Sequence, residues 1–130
     1  MTPTRRTRVH SVDYPGAVTE WMSVPECAEA LGVSLSRVRE LLKERKLVSL
    51  RRGENNAIYI PAGQIMDGET ARYVLATVHG TALVLADSGF SDDEIVAWLL
   101  APHDELEGTP LDALRAGQRA HVRRLAQTAL

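Results

Sequence analysis

The sequence is poor in the residues that build cofactor, metal and disulfide sites. It holds one cysteine, Cys27, one Phe, two Trp and three Tyr in 130 residues. One thiol excludes an internal disulfide and any multi-cysteine zinc site. The four histidines, His10, His79, His103 and His121, lack zinc-binding spacing. No apolar run approaches the roughly 18 residues needed to span a bilayer. The basic start, Met1 to His10, is not followed by the apolar stretch of a secretory signal. A cytoplasmic chain with no membrane segment, metal or cofactor is the expectation. A phosphate-cradling glycine motif and a nucleophile elbow are missing too. His103-Asp104-Glu105 is the best candidate cluster for acid–base or metal chemistry, but it follows Pro102 in an acidic loop where exposed charge is the simpler account. Cys27, beside Ala28 and with no paired histidine, reads as a small buried residue. The expectation is that the protein is not an enzyme.

What is present is the balance of an ordinary folded chain, 45% hydrophobic and 25% charged, enough for one domain or two very small ones sharing a core. The net charge of −2 hides a division. Residues 1–60 carry ten Lys and Arg against seven acids, and residues 61–130 carry five against ten. A basic half suits a polyanion such as nucleic acid, although a solvated surface produces the same excess.

Residues 1–19 show no periodicity and read as a flexible basic arm. Ser23-Val24-Pro25-Glu26 is a capping box for a helix from Val24 to Leu31. Gly32 stops that helix, Val33 can pack inward, and Ser34 can cap a second helix from Leu35 to about Lys46. Leu35, Val38, Leu41 and Leu42 form its apolar stripe. Residues 47–52 and 57–60 read as strands of a hairpin around Gly53-Glu54-Asn55-Asn56, with Pro61 ending the second. A short helix is expected from Pro61, while residues 66–77 are ambiguous between helix and strand. Helices are expected again from Gly80, with Ala82, Leu83, Leu85 and Ala86 on one face, then over residues 92–100, from Pro110, and from Gln118 to Leu130. The domain reading is therefore an arm at 1–19, a helix-turn-helix unit at 20–65 and a helical region at 66–130.

Helix, tight turn, helix and two-stranded hairpin, in that order, are the winged helix-turn-helix plan, which places one helix in the DNA major groove. At 100° per residue the face opposite the stripe holds Ser36, Arg37, Glu40 and Lys43, with Arg39 on its flank. Residues 35–52 carry seven Lys and Arg against two Glu. Arg37, Arg39 and Lys43 are the helix candidates for base edges or phosphates, Arg51 and Arg52 are the wing candidates, and Ser34 and Ser36 add hydroxyl or backbone donors. Glu40 would repel phosphate unless it accepts from a cytosine amine or pairs with Arg37 or Lys43. Solvated helix and strand faces are the bland account of the same charges. Their coincidence with the elements that dock favours double-stranded DNA as the partner.

The run from Val24 to Ser34, followed by Arg37-Val38-Arg39, Lys46-Leu47-Val48, Arg51-Arg52 and Tyr59-Ile60-Pro61, resembles the DNA-binding module of the excisionase and MerR-like superfamily. Over nearly the whole chain, Leu31-Gly32-Val33, Gly89-Phe90, Glu94-Ile95, Trp98-Leu99, Pro110 to Leu114 and Val122-Arg123-Arg124 resemble a small actinobacterial family of winged helix-turn-helix DNA-binding proteins that includes a mycobacterial substrate of a Ser/Thr protein kinase. This resemblance implies a DNA-binding, transcriptional or nucleoid-level regulator, mainly α with a small β-hairpin wing and a C-terminal helical bundle. It also implies a kinase as partner. Thr2, Thr4 and Thr7, set among Arg5, Arg6 and Arg8, are the candidate phosphorylation sites, and ordinary tail composition explains them equally. Residues Trp98-Leu99, Pro102-His103, Glu107 to Leu111, Leu114 and Gly117 are similar to the C-terminal domain of antitoxins that bind ADP-ribosyltransferase-type toxins. That gives the alternative reading, a protein-interaction module acting through its acidic half. A homodimer engaging two half-sites through the last helices is a further expectation.

Overall fold

The computed structural model describes residues 12–14 and 17–129. In chain order it contains β1 (Val12–Tyr14), β2 (Ala17–Thr19), β3 (Trp21–Met22), α1 (Val24–Leu31), α2 (Leu35–Lys43), β4 (Leu50–Arg52) and β5 (Ala57–Pro61). There follow β6 (Ile65–Asp67), β7 (Arg72–Val74), α3 (Thr77–Asp87), α4 (Asp92–Leu100), α5 (Pro110–Arg115) and α6 (Arg119–Gln127). The architecture is the expected one, mainly α with a small hairpin wing and a helical C-terminal half.

Four helices begin where a hydroxyl satisfies an orphan amide. Ser23 accepts from the Glu26 N–H at 3.2 Å while Glu26 Oε1 accepts from the Ser23 N–H at 2.8 Å. Ser91 with Glu94, and Thr109 with Asp112, repeat this reciprocal box at α4 and α5. Ser34 caps α2 by accepting from the Arg37 N–H at 3.0 Å. Gly32 ends α1 in the left-handed region at φ 72°, where a side chain would be strained.

Several elements depart from the sequence pattern, each for a local reason. α2 stops at Lys43 rather than near Lys46. Arg45 turns left-handed at φ 59°, and the Lys46 N–H closes on the Leu41 carbonyl at 2.9 Å. That lock usually employs glycine. The strand into the wing begins at Leu50 rather than at residue 47. The buried Gln64 side chain accepts from the Val48 N–H at 2.8 Å and donates to the Val48 carbonyl at 2.9 Å, replacing a strand partner. Residues 12–14 and 17–19, assigned by sequence to an irregular arm, pair as an antiparallel hairpin. The short helix expected from Pro61 is one turn of 3-10 helix, Ala62–Gln64, and the ambiguous stretch after it is taken up by the β6–β7 hairpin and by an α3 that starts at Thr77 rather than Gly80. The last helix occupies residues 119–127.

β3, β5 and β4 form one antiparallel sheet in that order, with Met22 opposite Ile60, Leu50 opposite Tyr59 and Arg52 opposite Ala57. The core has two parts. Val24, Cys27, Ala28, Val38, Leu41, Leu47, Ile60 and Ile65 close the helix-turn-helix against the sheet. The larger part gathers Val78, Ala82, Leu85, Ile95, Leu99, Leu114 and Val122 from the C-terminal helices around Trp21, Val48 and Leu50. The two halves thus share a core, and the wing strands are seated on the C-terminal helices. Gly63 allows this approach: a Cβ there would meet Leu111 Cδ2 at 2.9 Å. Arg115 secures it, donating to the Gly63 carbonyl at 2.7 Å.

Three apolar residues that the pattern directs inward face out instead: Val33 is 38% exposed, Leu35 45% and Leu83 40%. In α2 the buried stripe has narrowed to Val38 and Leu41, with Leu42 half-buried. The first turn of α2 stands clear of the core.

Candidate nucleic-acid interface

The α2 face opposite Val38 and Leu41 is solvent-exposed at Ser36, Arg37, Arg39, Glu40 and Lys43. Arg51 and Arg52 are exposed on the wing, next to the turn whose Gly53 and Asn56 take φ 86° and 55°. These elements bound one groove of about 640 Å³, lined by Arg39 and Lys43 of α2, Arg51 of β4, Ser49 and Ile58. The structure therefore brings together three of the five basic candidates. None of the three forms an ion pair among the described residues.

Arg37 and Arg52 are placed differently. Arg37 donates to Glu40 Oε1 at 3.0 Å, which is the i, i+3 pairing expected of that acid and partly offsets its charge on this face. Arg52 Nη1 is bound to Asp93 Oδ2 at 3.1 Å. Ser34 spends its acceptor on the α2 cap and keeps its O–H as a donor, and Ser36 is exposed. The first turn of α2 contains no acidic residue, unlike those of α1, α4 and α5. Its orphan amides and positive dipole end are open to an anion.

Sequence reasoning missed the acidic rim of this groove. Asp92 and Asp93, the first residues of α4, line it opposite the wing, and Asp92 Oδ1 accepts from Arg45 at 3.2 Å. The run Ser91-Asp92-Asp93-Glu94 signals a helix cap, and nothing local to it signals that the cap faces a hairpin forty residues earlier. Exposed Val33 and Leu35 were also missed. They lie beside Ser34 and Ser36 at the leading end of α2, and an apolar stripe on paper does not show that its first member overhangs the core.

The other candidates contribute nothing to this groove. Cys27 is buried, and burial raises its thiol pKa to about 11, so at neutral pH it carries its proton and is a poor nucleophile. His103 Nδ1 accepts from the Glu105 N–H at 3.1 Å and so holds its own turn. Trp21 is buried edge-on to Tyr59, ring centres 6.3 Å apart. No three His, Cys, Asp or Glu residues are close enough to hold a metal among the described residues. No helix there is long and apolar enough to cross a membrane. Thr2, Thr4 and Thr7 lie outside the described residues.

Compared with known proteins, the chain is 34% identical over 116 residues to the DNA-binding protein Rv2175c of Mycobacterium tuberculosis strain H37Rv, a match that covers 80% of this chain and 76% of that protein. The chain belongs to the Rv2175c family. Its residues 7–63 match the family's winged helix-turn-helix domain, described as that of DNA-binding protein Rv2175c, and residues 75–129 match the Rv2175c C-terminal domain of unknown function. The fold agrees with the NMR structure of Rv2175c at a TM-score of 0.73 and 31% identity, covering 91% of this chain and 84% of that one. The Rv2175c family's two domains meet in the sequence across the β6–β7 hairpin, the segment least legible from pattern alone.

Proposed function

We propose that this protein binds double-stranded DNA and acts as a transcriptional regulator, seating α2 in the major groove and the β4–β5 turn against the neighbouring backbone. The observation that carries this reading is the groove in which Arg39, Lys43 and Arg51 converge without ion-pair partners among the described residues. Separation of these cations along two elements matches a helix that reads and a wing that steadies. In this reading Arg37, Arg39 and Lys43 supply base-edge and phosphate contacts. Arg51 and Arg52 grip phosphate, and Ser34, Ser36 and the α2 amides add neutral donors. The relative's description as a DNA-binding protein supports the same function.

Two extensions belong to the same proposal. Phosphate on Thr2, Thr4 or Thr7, placed by a Ser/Thr protein kinase, would add about −1.5 to −2 charge to a basic arm and oppose DNA binding. Pairing of two copies would engage two half-sites.

The test is fluorescence anisotropy of the full chain on a mixed-sequence duplex pool at low and near-physiological salt. Binding should weaken with salt as counterions return to the DNA, and should fall in an Arg39→Ala/Lys43→Ala variant and in Arg51→Ala/Arg52→Ala. Absence of binding at low salt would sink the proposal and favour a protein partner for the acidic half.

A further inference from the structure

The turn that ends α2 is held from three sides at one residue that the helix pattern does not single out. Arg45 follows the helix in the left-handed region at φ 59°, a conformation that glycine or asparagine adopts at less cost. Its N–H donates to the Leu42 carbonyl at 3.1 Å. Its carbonyl accepts from His79 Nδ1 of α3 at 3.2 Å. Its guanidinium crosses to the first residue of α4, where Nε and Nη2 both lie 3.2 Å from Asp92 Oδ1. The two backbone bonds would form with any residue at position 45, and glycine would form them with less strain. What only arginine adds is the guanidinium.

Arg45 lines the same groove as Arg39, Lys43 and Arg51. Its side chain is 37% exposed, and its grip on Asp92 is one-sided, two nitrogens on a single carboxylate oxygen. A guanidinium that meets a phosphate squarely makes two parallel bonds to two oxygens. An ion pair this exposed holds its partners weakly. Asp92 also lies in the first turn of α4, at the positive end of that helix, so releasing Arg45 does not leave the carboxylate without an electropositive neighbour. The pair is therefore one that an incoming phosphate can open. The adjacent Asp93 holds Arg52 at 3.1 Å, so consecutive acids of α4 occupy two cations at the groove.

We propose that Arg45 is a sixth basic contact to DNA phosphate and that Asp92 occupies it until DNA arrives. This rests on the reading of the groove as the DNA interface. It also gives the C-terminal half a part in that function. Ser91, Asp92 and Asp93 are the groove-lining residues which that half supplies, and none of them is a cation. Its contribution is to set, through the first turn of α4, how much of the positive charge on α2 and the wing is available to a phosphate.

The test is fluorescence anisotropy of the full chain on the mixed-sequence duplex pool at several salt concentrations, comparing wild type with Arg45→Asn, Asp92→Asn and the two together. Asparagine suits the left-handed backbone, so Arg45→Asn removes the charge and keeps the turn. It should weaken binding about threefold to tenfold at low salt and lower the salt slope by about 0.9, the value of one phosphate contact. Arg45→Lys, which keeps the charge, should restore the slope. Asp92→Asn should tighten binding about threefold in the wild type but less than about 1.5-fold beside Arg45→Asn, because a mask acts only through the group it covers. Unchanged affinity and slope in Arg45→Asn would overturn the contact and leave the DNA-binding reading standing. Equal tightening by Asp92→Asn in both backgrounds would reduce Asp92 to general repulsion of DNA and overturn the masking. Absence of wild-type binding at low salt would sink the DNA-binding reading and this inference with it.

Discussion

Arg52 on the wing is held by Asp93 at the start of α4, Nη1 to Oδ2 at 3.1 Å, and both side chains are half-exposed. The carboxylate also sits at the positive end of its own helix, so one charge serves two electropositive partners. An ion pair this exposed contributes no more than about 1 kcal/mol to stability. Its larger effect falls on DNA binding, because a phosphate reaching Arg52 must displace Asp93 or tolerate it. Asp93→Asn is therefore expected to tighten DNA binding about threefold to tenfold at low salt and to steepen the salt dependence by up to about one counterion. Anisotropy titrations at four salt concentrations measure both quantities. An unchanged affinity would show that the wing works without Arg52.

Much of the frame was legible because capping and turn chemistry are local. Ser23, Gly32, Ser34, Ser91 and Thr109 announce their helix boundaries within four residues, and those boundaries stand where the pattern puts them. The groove was half legible. Arg39, Lys43 and Arg51 follow from helical and strand periodicity, whereas Asp93 approaches Arg52 only through the shared core that joins the halves. Leu35 illustrates the limit of a periodic stripe: its phase is right, but the partner surface ends before it. β3 was invisible because two residues, Trp21 and Met22, show no alternation, and only their pairing with Pro61 and Ile60 defines the strand.

Gln64 performs a structural task that its residue type disguises. Its amide takes both backbone groups of Val48 and also donates to the Pro61 carbonyl at 3.2 Å, all in a buried setting. Gln64→Leu keeps comparable bulk and strands the Val48 N–H and carbonyl. A loss of about 2–4 kcal/mol is expected from two buried groups left unpaired, read as a drop in the urea midpoint. A loss under about 0.5 kcal/mol would mean that water replaces the amide without penalty.

Leu35 is 45% exposed at the leading end of α2, beside exposed Val33. Under the proposed docking it lies where an apolar side chain meets a thymine methyl in the major groove. Leu35→Ser is expected to leave stability within about 0.5 kcal/mol of the wild type. It should remove a thymine preference at one position when sites are selected from a randomised duplex pool. Identical selected sites for both proteins would exclude base contact by this residue.

Cys27 gives the protein a dependence on alkaline pH. Burial lifts its thiol from the ordinary 9.0 to about 11, so between those values the unfolded chain releases the proton and the folded chain keeps it. The stability due to this difference is complete below pH 9 and declines as pH rises towards 11, by up to about 1.4 kcal/mol for each pH unit. Lysine and tyrosine titrations affect the wild type and Cys27→Ala alike, so the difference in the slopes of their unfolding free energies over pH 9–11 isolates the thiol. The wild-type slope should be the steeper. Alkylation gives a second readout: at pH 8 iodoacetamide should modify Cys27 only at the rate at which the chain opens, slowing further when a stabilising salt is added. Rapid modification under native conditions, together with parallel slopes, would show that the thiol is reached by solvent without unfolding.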